Sequence, residues 1–329
     1  MRAIVIDRFG GPEELRLDEV PTPNPAEGQV LVHVAYAGIN PADWKDREGL
    51  VAGFYRASFP HILGFDAAGT VADVGPGVDD FAPGDRVFTT SDHGDGVAGS
   101  YAEYLLVSAP RLAKVPPRVD LASAAATPVA ALTAWQALLA SERGDLQAGQ
   151  RVLIHGGSGG VGSFAVQFAA HRGAHVAATC SAANLDYVAE LGAERALDYR
   201  AADYRDELRA WAPEGLDLIV DAVGGDTLPG RLELLRPGGR LVSIATLVAD
   251  GDIAAETAEA ETMGVRKIFA IMDSREAGRE LAQIGELLAA GAVHPPPIEV
   301  YPMAEVRAAH ERIQGGHVRG KLVLEIAGE

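Results

Sequence analysis

Gly157-Ser158-Gly159-Gly160-Val161-Gly162 fits the pattern G-x-G-x-x-G, whose chemistry is the binding of a pyrophosphate. It directly follows the apolar run Val152-Leu153-Ile154-His155 and opens a stretch in which Val161, Phe164 and Phe168 share one helical face. The spacing therefore predicts strand, turn and helix. In that setting glycines permit the tight turn and a close approach of backbone to phosphate, and the anion sits on the helix N-terminus, where amides lack partners. The next predicted strand ends in Thr179-Cys180-Ser181-Ala182-Ala183-Asn184, with no acid before Asp186. A site for NAD usually presents a carboxylate there to the ribose hydroxyls. Its absence suits a 2′-phosphate, held by Ser181, Asn184 and a following Tyr199 or Arg200, so the cofactor is read as NADPH. Ser and Asn at a strand end are also ordinary helix-capping residues. Val223-Gly224 and Ala245-Thr246 follow predicted strand ends, where doubly wound sheets bind ligands.

The elements that must position these groups fall into two patterns. Residues 1–118 are β-rich, with partly alternating or β-branched runs at 29–36, 69–75, 84–88 and 101–107, as in a partly open β-barrel or sandwich. From about residue 119 strands alternate with helices, which predicts a parallel sheet with crossover helices. Its strands are expected at 152–155, 175–179, 216–221, 240–244 and near 266–271, with helices at 184–191 and around Leu281, Ile284, Leu287 and Leu288. Pro295-Pro296-Pro297 marks a boundary. The helix around Val306, Ala309, His310 and Ile313 and the strand 321–326 that follow form a tail too short to fold alone, expected to complete the N-terminal domain. The fold class is thus α/β, with domains at 1–118 plus 293–329 and at 119–292.

Composition excludes several functions. The chain has 329 residues, 48% of them hydrophobic, with 28 Lys+Arg against 46 Asp+Glu for a net charge of −18. That length suggests two domains with sizeable cores. The acidity disfavours nucleic acid and anionic lipid as partners. The single cysteine forms no intramolecular disulfide, and Met1-Arg2-Ala3-Ile4-Val5-Ile6-Asp7 lacks a signal-peptide pattern, so a cytoplasmic protein is expected. The uncharged stretches at 121–141 and 152–171 are too weakly apolar or too glycine-rich to span a membrane.

Gly38-Ile39-Asn40-Pro41-Ala42-Asp43-Trp44-Lys45, Gly64-Phe65-Asp66-Ala67-Ala68-Gly69, Gly84-Asp85-Arg86-Val87, Gly99-Ser100-Tyr101-Ala102-Glu103-Tyr104 and the glycine turn followed by Gln167 carry a resemblance over essentially the full length. The chain resembles a zinc-independent medium-chain dehydrogenase/reductase of the quinone oxidoreductase branch. Ala170 departs from the branch signature, which has Lys, Arg or Ser there. The resemblance implies a Rossmann doubly wound parallel sheet plus a GroES-like β-barrel catalytic domain split between the two ends of the chain. It also implies a homodimer pairing Rossmann edge strands, here near 266–271. Zinc-dependent relatives carry Cys where Asn40 stands and His where Phe65 stands, and neither residue present is a zinc ligand. His93 with Asp92 and Asp95 forms a formal metal cluster, read instead as a solvated loop, and no metal is expected.

Without that Lewis acid, the expected chemistry is hydride transfer from NADPH to a quinone or to the C=C of an α,β-unsaturated carbonyl, the developing oxyanion being met by protein donors. The residues resembling the family's active site are Asn40, Asp43, Lys45 and Arg47, with Lys45 as donor or proton relay. Arg47 could equally pair with Asp43 or Glu48. Tyr55 is an alternative acid or a core aromatic, Asn40 a ligand contact or a turn cap, and Thr127 resembles a nicotinamide-side contact. Two further readings remain open: a biosynthetic enoyl reductase acting on a specialised intermediate, and a non-catalytic NADPH-binding protein.

Overall fold

The computed structural model describes residues 1–94, 96–244, 253–275 and 277–327. In chain order its strands begin with β1 (Arg2–Ile6), β2 (Arg16–Glu19), β3 (Gln29–Ile39), β4 (His61–Ile62), β5 (Asp66–Val74), β6 (Arg86–Thr90), β7 (Tyr104–Ser108) and β8 (Leu112–Lys114). Then come β9 (Arg151–His155), β10 (His175–Cys180), β11 (Arg195–Asp198), β12 (Leu216–Asp221), β13 (Leu235–Ser243), β14 (Arg266–Phe269), β15 (Ile298–Pro302) and β16 (Lys321–Glu325). The helices are α1 (Pro41–Arg47), α2 (Leu121–Ala125), α3 (Pro128–Leu139), α4 (Gly160–His171), α5 (Leu185–Glu190), α6 (Tyr204–Trp211), α7 (Ile253–Thr262), α8 (Ala277–Ala289) and α9 (Val306–Gln314). Among the described residues no helix is long and apolar enough to cross a membrane.

The chain forms two compact units, Met1–Leu132 with Asp273–Glu329, and Thr133–Met272. These bounds correct the expected ones, since 119–132 and 273–292 lie with the first unit. Packing is the reason. Helix α2 lies on β3 and β5, and α8 on β8. At Gly278 of α8 an added Cβ would stand 2.3 Å from the Leu112 carbonyl oxygen, so helix and strand meet backbone to backbone.

The first unit is built on β3, an 11-residue strand whose apolar positions are almost all buried. One edge pairs with β5, and the other is shared by β7 at residues 29–33 and β16 at residues 36–39. Tyr36 pairs with both Ala68 of β5 and Glu325 of β16, so the C-terminal return occupies the edge β5 leaves open. The sheet runs β15-β16-β3-β5-β6-β8, with β7 also on β3, and a small sheet β2-β1-β4 joins its core. The β-rich reading of residues 1–118 and the return of 321–326 match this architecture.

The second unit is a six-stranded parallel sheet in the order β11-β10-β9-β12-β13-β14. The order reverses between β9 and β12, the position where doubly wound sheets bind ligands beyond the strand C-termini. Strands β9, β10 and β12 are buried almost throughout, as expected for a sheet covered on both faces. Strand β11 and helix α6 lack a counterpart in the sequence reading, because Arg195–Asp198 is short and α6 carries charge on most of its surface.

Candidate functional site

In the second unit, Gly156 closes β9 at φ +89°, a backbone conformation that L side chains rarely adopt, and Gly159 caps α4 in extended conformation without a side-chain bond. The amides of Gly160, Val161 and Gly162 therefore have no preceding helical carbonyl and face outward from the helix start. An added Cβ at Gly162 would stand 2.0 Å from the Gly156 carbonyl oxygen, whereas at Gly159 the nearest atom is 3.6 Å away. Gly162 thus holds helix to turn, and Gly159 leaves a cradle that a phosphate fits. Thr179 fixes the turn from β10: its carbonyl accepts from the Gly157 amide at 2.8 Å and its hydroxyl from the Gly156 amide at 3.1 Å.

The structure brings together the groups expected to hold a 2′-phosphate. Asn184 Nδ2 donates to Ser158 Oγ at 3.3 Å and to Ser181 Oγ at 3.1 Å. Cys180 pairs with Asp198, so Ser181 and Tyr199 emerge side by side, and the Tyr199 amide donates to the Cys180 carbonyl. The exposed Arg200 guanidinium lies 5.2 Å from the Tyr199 ring centroid. Four uncharged donors and one arginine are groups that suit a phosphate monoester, and the residues present fit a nicotinamide dinucleotide. Beyond β12, Val223 is 44% exposed beside Gly156, and the Gly224 amide is tied to Asp221 Oδ1 at 2.9 Å. Asp221 in turn holds Arg231 at 2.7 Å. Ala245 and Thr246 lie outside the described residues.

The first unit holds the expected catalytic residues, in roles that differ from the sequence reading. Pro41 and the Asp43 carboxylate start α1, Asp43 Oδ2 accepting the Asn40 amide at 2.6 Å. Asn40 is 4% exposed and its carboxamide is taken on both sides, donating to Asp66 Oδ2 at 2.8 Å and accepting from Lys321 Nζ at 2.5 Å. Asp43 has no exposed surface and also accepts from the Tyr101 hydroxyl at 3.0 Å. Asn40 is engaged on both sides, and Asp43 is fully buried with its Oδ1 lacking a hydrogen-bond partner among the described residues, so both are corrected to positioning residues. Burial pushes the Asp43 carboxyl up to about 8, helped by the neighbouring Asp66 charge and opposed by the Asn40 amide. Burial also raises Asp66, against the pull of Lys321, Asn40 and the Val129 amide.

Thr127 is likewise fully buried, its hydroxyl donating to the Ser123 carbonyl at 2.8 Å, and it joins α2 to α3 rather than facing a ligand. Arg47 is buried between Glu48 at 2.7 Å, His310 Nδ1 at 3.0 Å and the Gly10 carbonyl, with no bond to Asp43. Lys45 is half-buried, its Nζ 5.7 Å from the Trp44 ring centroid.

Tyr55 belongs to a cluster that sequence reasoning missed. Its hydroxyl lies 3.1 Å from His93 Nε2 and hydrogen-bonds to Asp46. Asp46 Oδ2 accepts from His93 Nε2 at 2.6 Å and His61 Nε2 at 3.1 Å, and the three side chains are between 0% and 4% exposed. His93 is therefore not a solvated loop residue. Asp92 turns away to Arg111 at 2.6 Å and to Ser108, and Asp95 lies outside the described residues. Burial opposes the Asp46 anion, but hydrogen bonds from His61 and His93 outweigh it and hold the carboxyl well below the usual carboxylate range. Burial and the Asp46 charge push the Tyr55 phenol well above its ordinary value, so it stays protonated. The sequence signal was only two histidines and an aspartate at separations of 15 and 32 residues, which match no ligand spacing.

Comparison with known proteins agrees with both units. Residues 26–117 match a family model described as an alcohol dehydrogenase GroES-like domain, and residues 191–324 one described as a zinc-binding dehydrogenase. Quinone oxidoreductase of Homo sapiens is 32% identical over 332 residues, covering 98% of this chain and 97% of that protein. The structure of the quinone oxidoreductase from Coxiella burnetii is similar with a TM-score of 0.88 at 32% identity, over 99% of each chain. That of Escherichia coli quinone oxidoreductase complexed with NADPH is similar with a TM-score of 0.87 at 27% identity, over 99% of this chain and 100% of that one.

Proposed function

The chain belongs to the quinone oxidoreductase branch of the medium-chain dehydrogenase/reductase family of NAD(P)H oxidoreductases, and on that premise we propose that it uses NADPH to reduce a quinone or an activated C=C bond. The observation that carries the cofactor choice is the convergence of Ser158, Ser181 and Asn184 at the end of β10, with no carboxylate among them. NADPH supplies the hydride. The chain's own groups do the rest: the α4 amides hold the pyrophosphate, and the Ser181–Asn184 pair with Tyr199 and Arg200 holds the 2′-phosphate.

Reduction of a quinone or enone places negative charge on an oxygen that must be protonated. Lys45, on the half-buried face of α1, is the donor in this reading, and Tyr55 is a phenol kept protonated by burial and the Asp46 charge. A simple alcohol is a poor substrate by the same argument. Asn40 is engaged with Asp66 and Lys321, and Phe65 is apolar, so these two positions offer no metal ligand to polarise a hydroxyl.

The test follows NADPH and NADH oxidation with quinones, enones and enals. Turnover with NADPH on at least one class is expected, and none with any acceptor refutes the reading. Lys45→Ala should lower kcat about 100-fold at saturating acceptor while Lys45→Arg retains more activity. Wild-type turnover in Lys45→Ala would remove Lys45 from the chemistry. The reading extends to a homodimer formed along β14, the edge strand of the parallel sheet, where Phe269 and Ile271 are 37% and 41% exposed. A monomeric mass by light scattering would refute that part.

A further inference from the structure

Asp46, His61 and His93 have no role in the chemistry proposed above beyond the environment they give Tyr55. The cluster joins three stretches of the first unit: α1 supplies Asp46, β4 supplies His61, and the segment after β6 supplies His93. Both imidazoles turn the same nitrogen, Nε2, toward one carboxylate oxygen, and the three ligand atoms lie within 4.8 Å of one another. Aromatic rings close around them, with Phe65 4.7 Å and Tyr55 5.3 Å from the His93 ring between centroids.

A buried carboxylate is stable when it is paired or coordinates a cation. Among the described residues, Asp46 is hydrogen-bonded by two imidazoles and one phenol. Two imidazole nitrogens and one carboxylate oxygen, on three separate segments, form the donor set that borderline divalent first-row cations take. Around such an ion, ligands at about 2.0–2.1 Å stand roughly 3.4 Å from one another in tetrahedral geometry. The present contacts of 2.6 and 3.1 Å, inside a 4.8 Å cluster, reach that spacing by side-chain adjustment of about an ångström. The Tyr55 hydroxyl lies beside these ligand atoms, 3.1 Å from His93 Nε2.

We propose that Asp46, His61 and His93 form a binding site for one divalent cation of the zinc and cobalt class, with the Tyr55 hydroxyl beside it. This replaces the expectation of no metal, which rested on Asn40, Phe65 and the acids flanking His93. Ligating imidazoles usually anchor their second nitrogen, and His93 Nδ1 is buried without a hydrogen-bond partner among the described residues. The missing anchor is expected to weaken the site about 10- to 100-fold, so the titration extends to micromolar free metal.

The test titrates the full chain, stripped with a chelator, with Co2+ and then Zn2+. Wild type should bind one equivalent of Co2+ with a visible d–d band of four- or five-coordinate metal, displaced by Zn2+. His61→Ala and His93→Ala should each weaken binding at least tenfold, whereas His33→Ala, at a histidine outside the cluster, should not. Because alanine at a buried site can unfold the chain, His93→Cys provides a gain of signal: a thiolate-to-Co2+ charge-transfer band appears only if residue 93 ligates. A folded wild type that binds no Co2+ at micromolar free metal overturns the proposal. So does binding unchanged in both alanine variants, or a Co2+-loaded His93→Cys chain without the thiolate band.

Discussion

Replacing two glycines of the same turn by alanine separates what folds the cofactor site from what receives the cofactor. In Gly162→Ala the new methyl stands 2.0 Å from the Gly156 carbonyl oxygen and 2.9 Å from Gly157 Cα, whereas ordinary contact begins at 3.4 Å. Helix α4 and the turn must part by about 1.4 Å, and the atoms in the way are backbone. Overpacking of this kind costs about 1–3 kcal/mol, and alanine in place of glycine in a helix returns at most about 1 kcal/mol. A net loss of about 1–2 kcal/mol lowers Tm by roughly 3–8 °C in a unit of this size. The same displacement moves the α4 amides outside hydrogen-bond range, and losing one bond to a charged phosphate weakens NADPH about 10- to 100-fold.

Gly159→Ala behaves differently. Gly159 has φ −80° and ψ 175°, a conformation alanine adopts, and a Cβ there meets its nearest neighbour at 3.6 Å. Stability should stay within about 0.5 kcal/mol of wild type, while the methyl occupies the cradle and weakens NADPH. Thermal unfolding by circular dichroism and titration of NADPH fluorescence measure both variants. An unchanged Tm in Gly162→Ala refutes the contact geometry. Wild-type NADPH affinity in Gly159→Ala refutes the placement of the pyrophosphate.

Ser181→Asp puts a carboxylate beside Asn184 where the 2′-phosphate is expected. After discounting for solvent screening, the repulsion is about 1.5–3 kcal/mol, so kcat/KM for NADPH relative to NADH should fall about 10- to 100-fold; an unchanged ratio would place the phosphate elsewhere. Asp43 is expected to make stability pH-dependent. Its folded value of about 8 lies above the ordinary 3.8, so the folded chain holds a proton that the unfolded chain has released, and stability declines as pH rises from about 4 through about 8. Asp43→Asn removes that titration and should flatten the fall of Tm over this window; an unaltered slope would show that Asp43 does not carry it.

Much of the cofactor half is legible in the sequence alone. The glycine spacing, the apolar run of β9 and the periodicity of Val161, Phe164 and Phe168 are local, and sterics over a few residues decide them. The acid missing after β10 is a matter of residue identity at one position, as are Asn40 and Phe65 in place of metal ligands. Weak elements escaped for a related reason: β11 is four residues long and gains its partner only from the register with β10.

Side-chain roles in the catalytic half needed the tertiary structure. Asn40 looks available in sequence, but the pairing of Leu322 with Ile39 brings Lys321 beside it, 281 positions away, and Asp66 takes its other side. The ends of the parallel-sheet unit depend on which surface α2 and α8 cover, which periodicity leaves open. Asp46, His61 and His93 have no shared spacing, and only the packing of α1, β4 and the segment after β6 turns three ordinary polar residues into one buried group. Local pattern determines which segments form strand, turn or helix, because its physics acts within a few residues. Which polar atoms remain for a ligand is decided by long-range register and burial, because a hydrogen bond to a distant residue removes a group that the sequence alone presents as free.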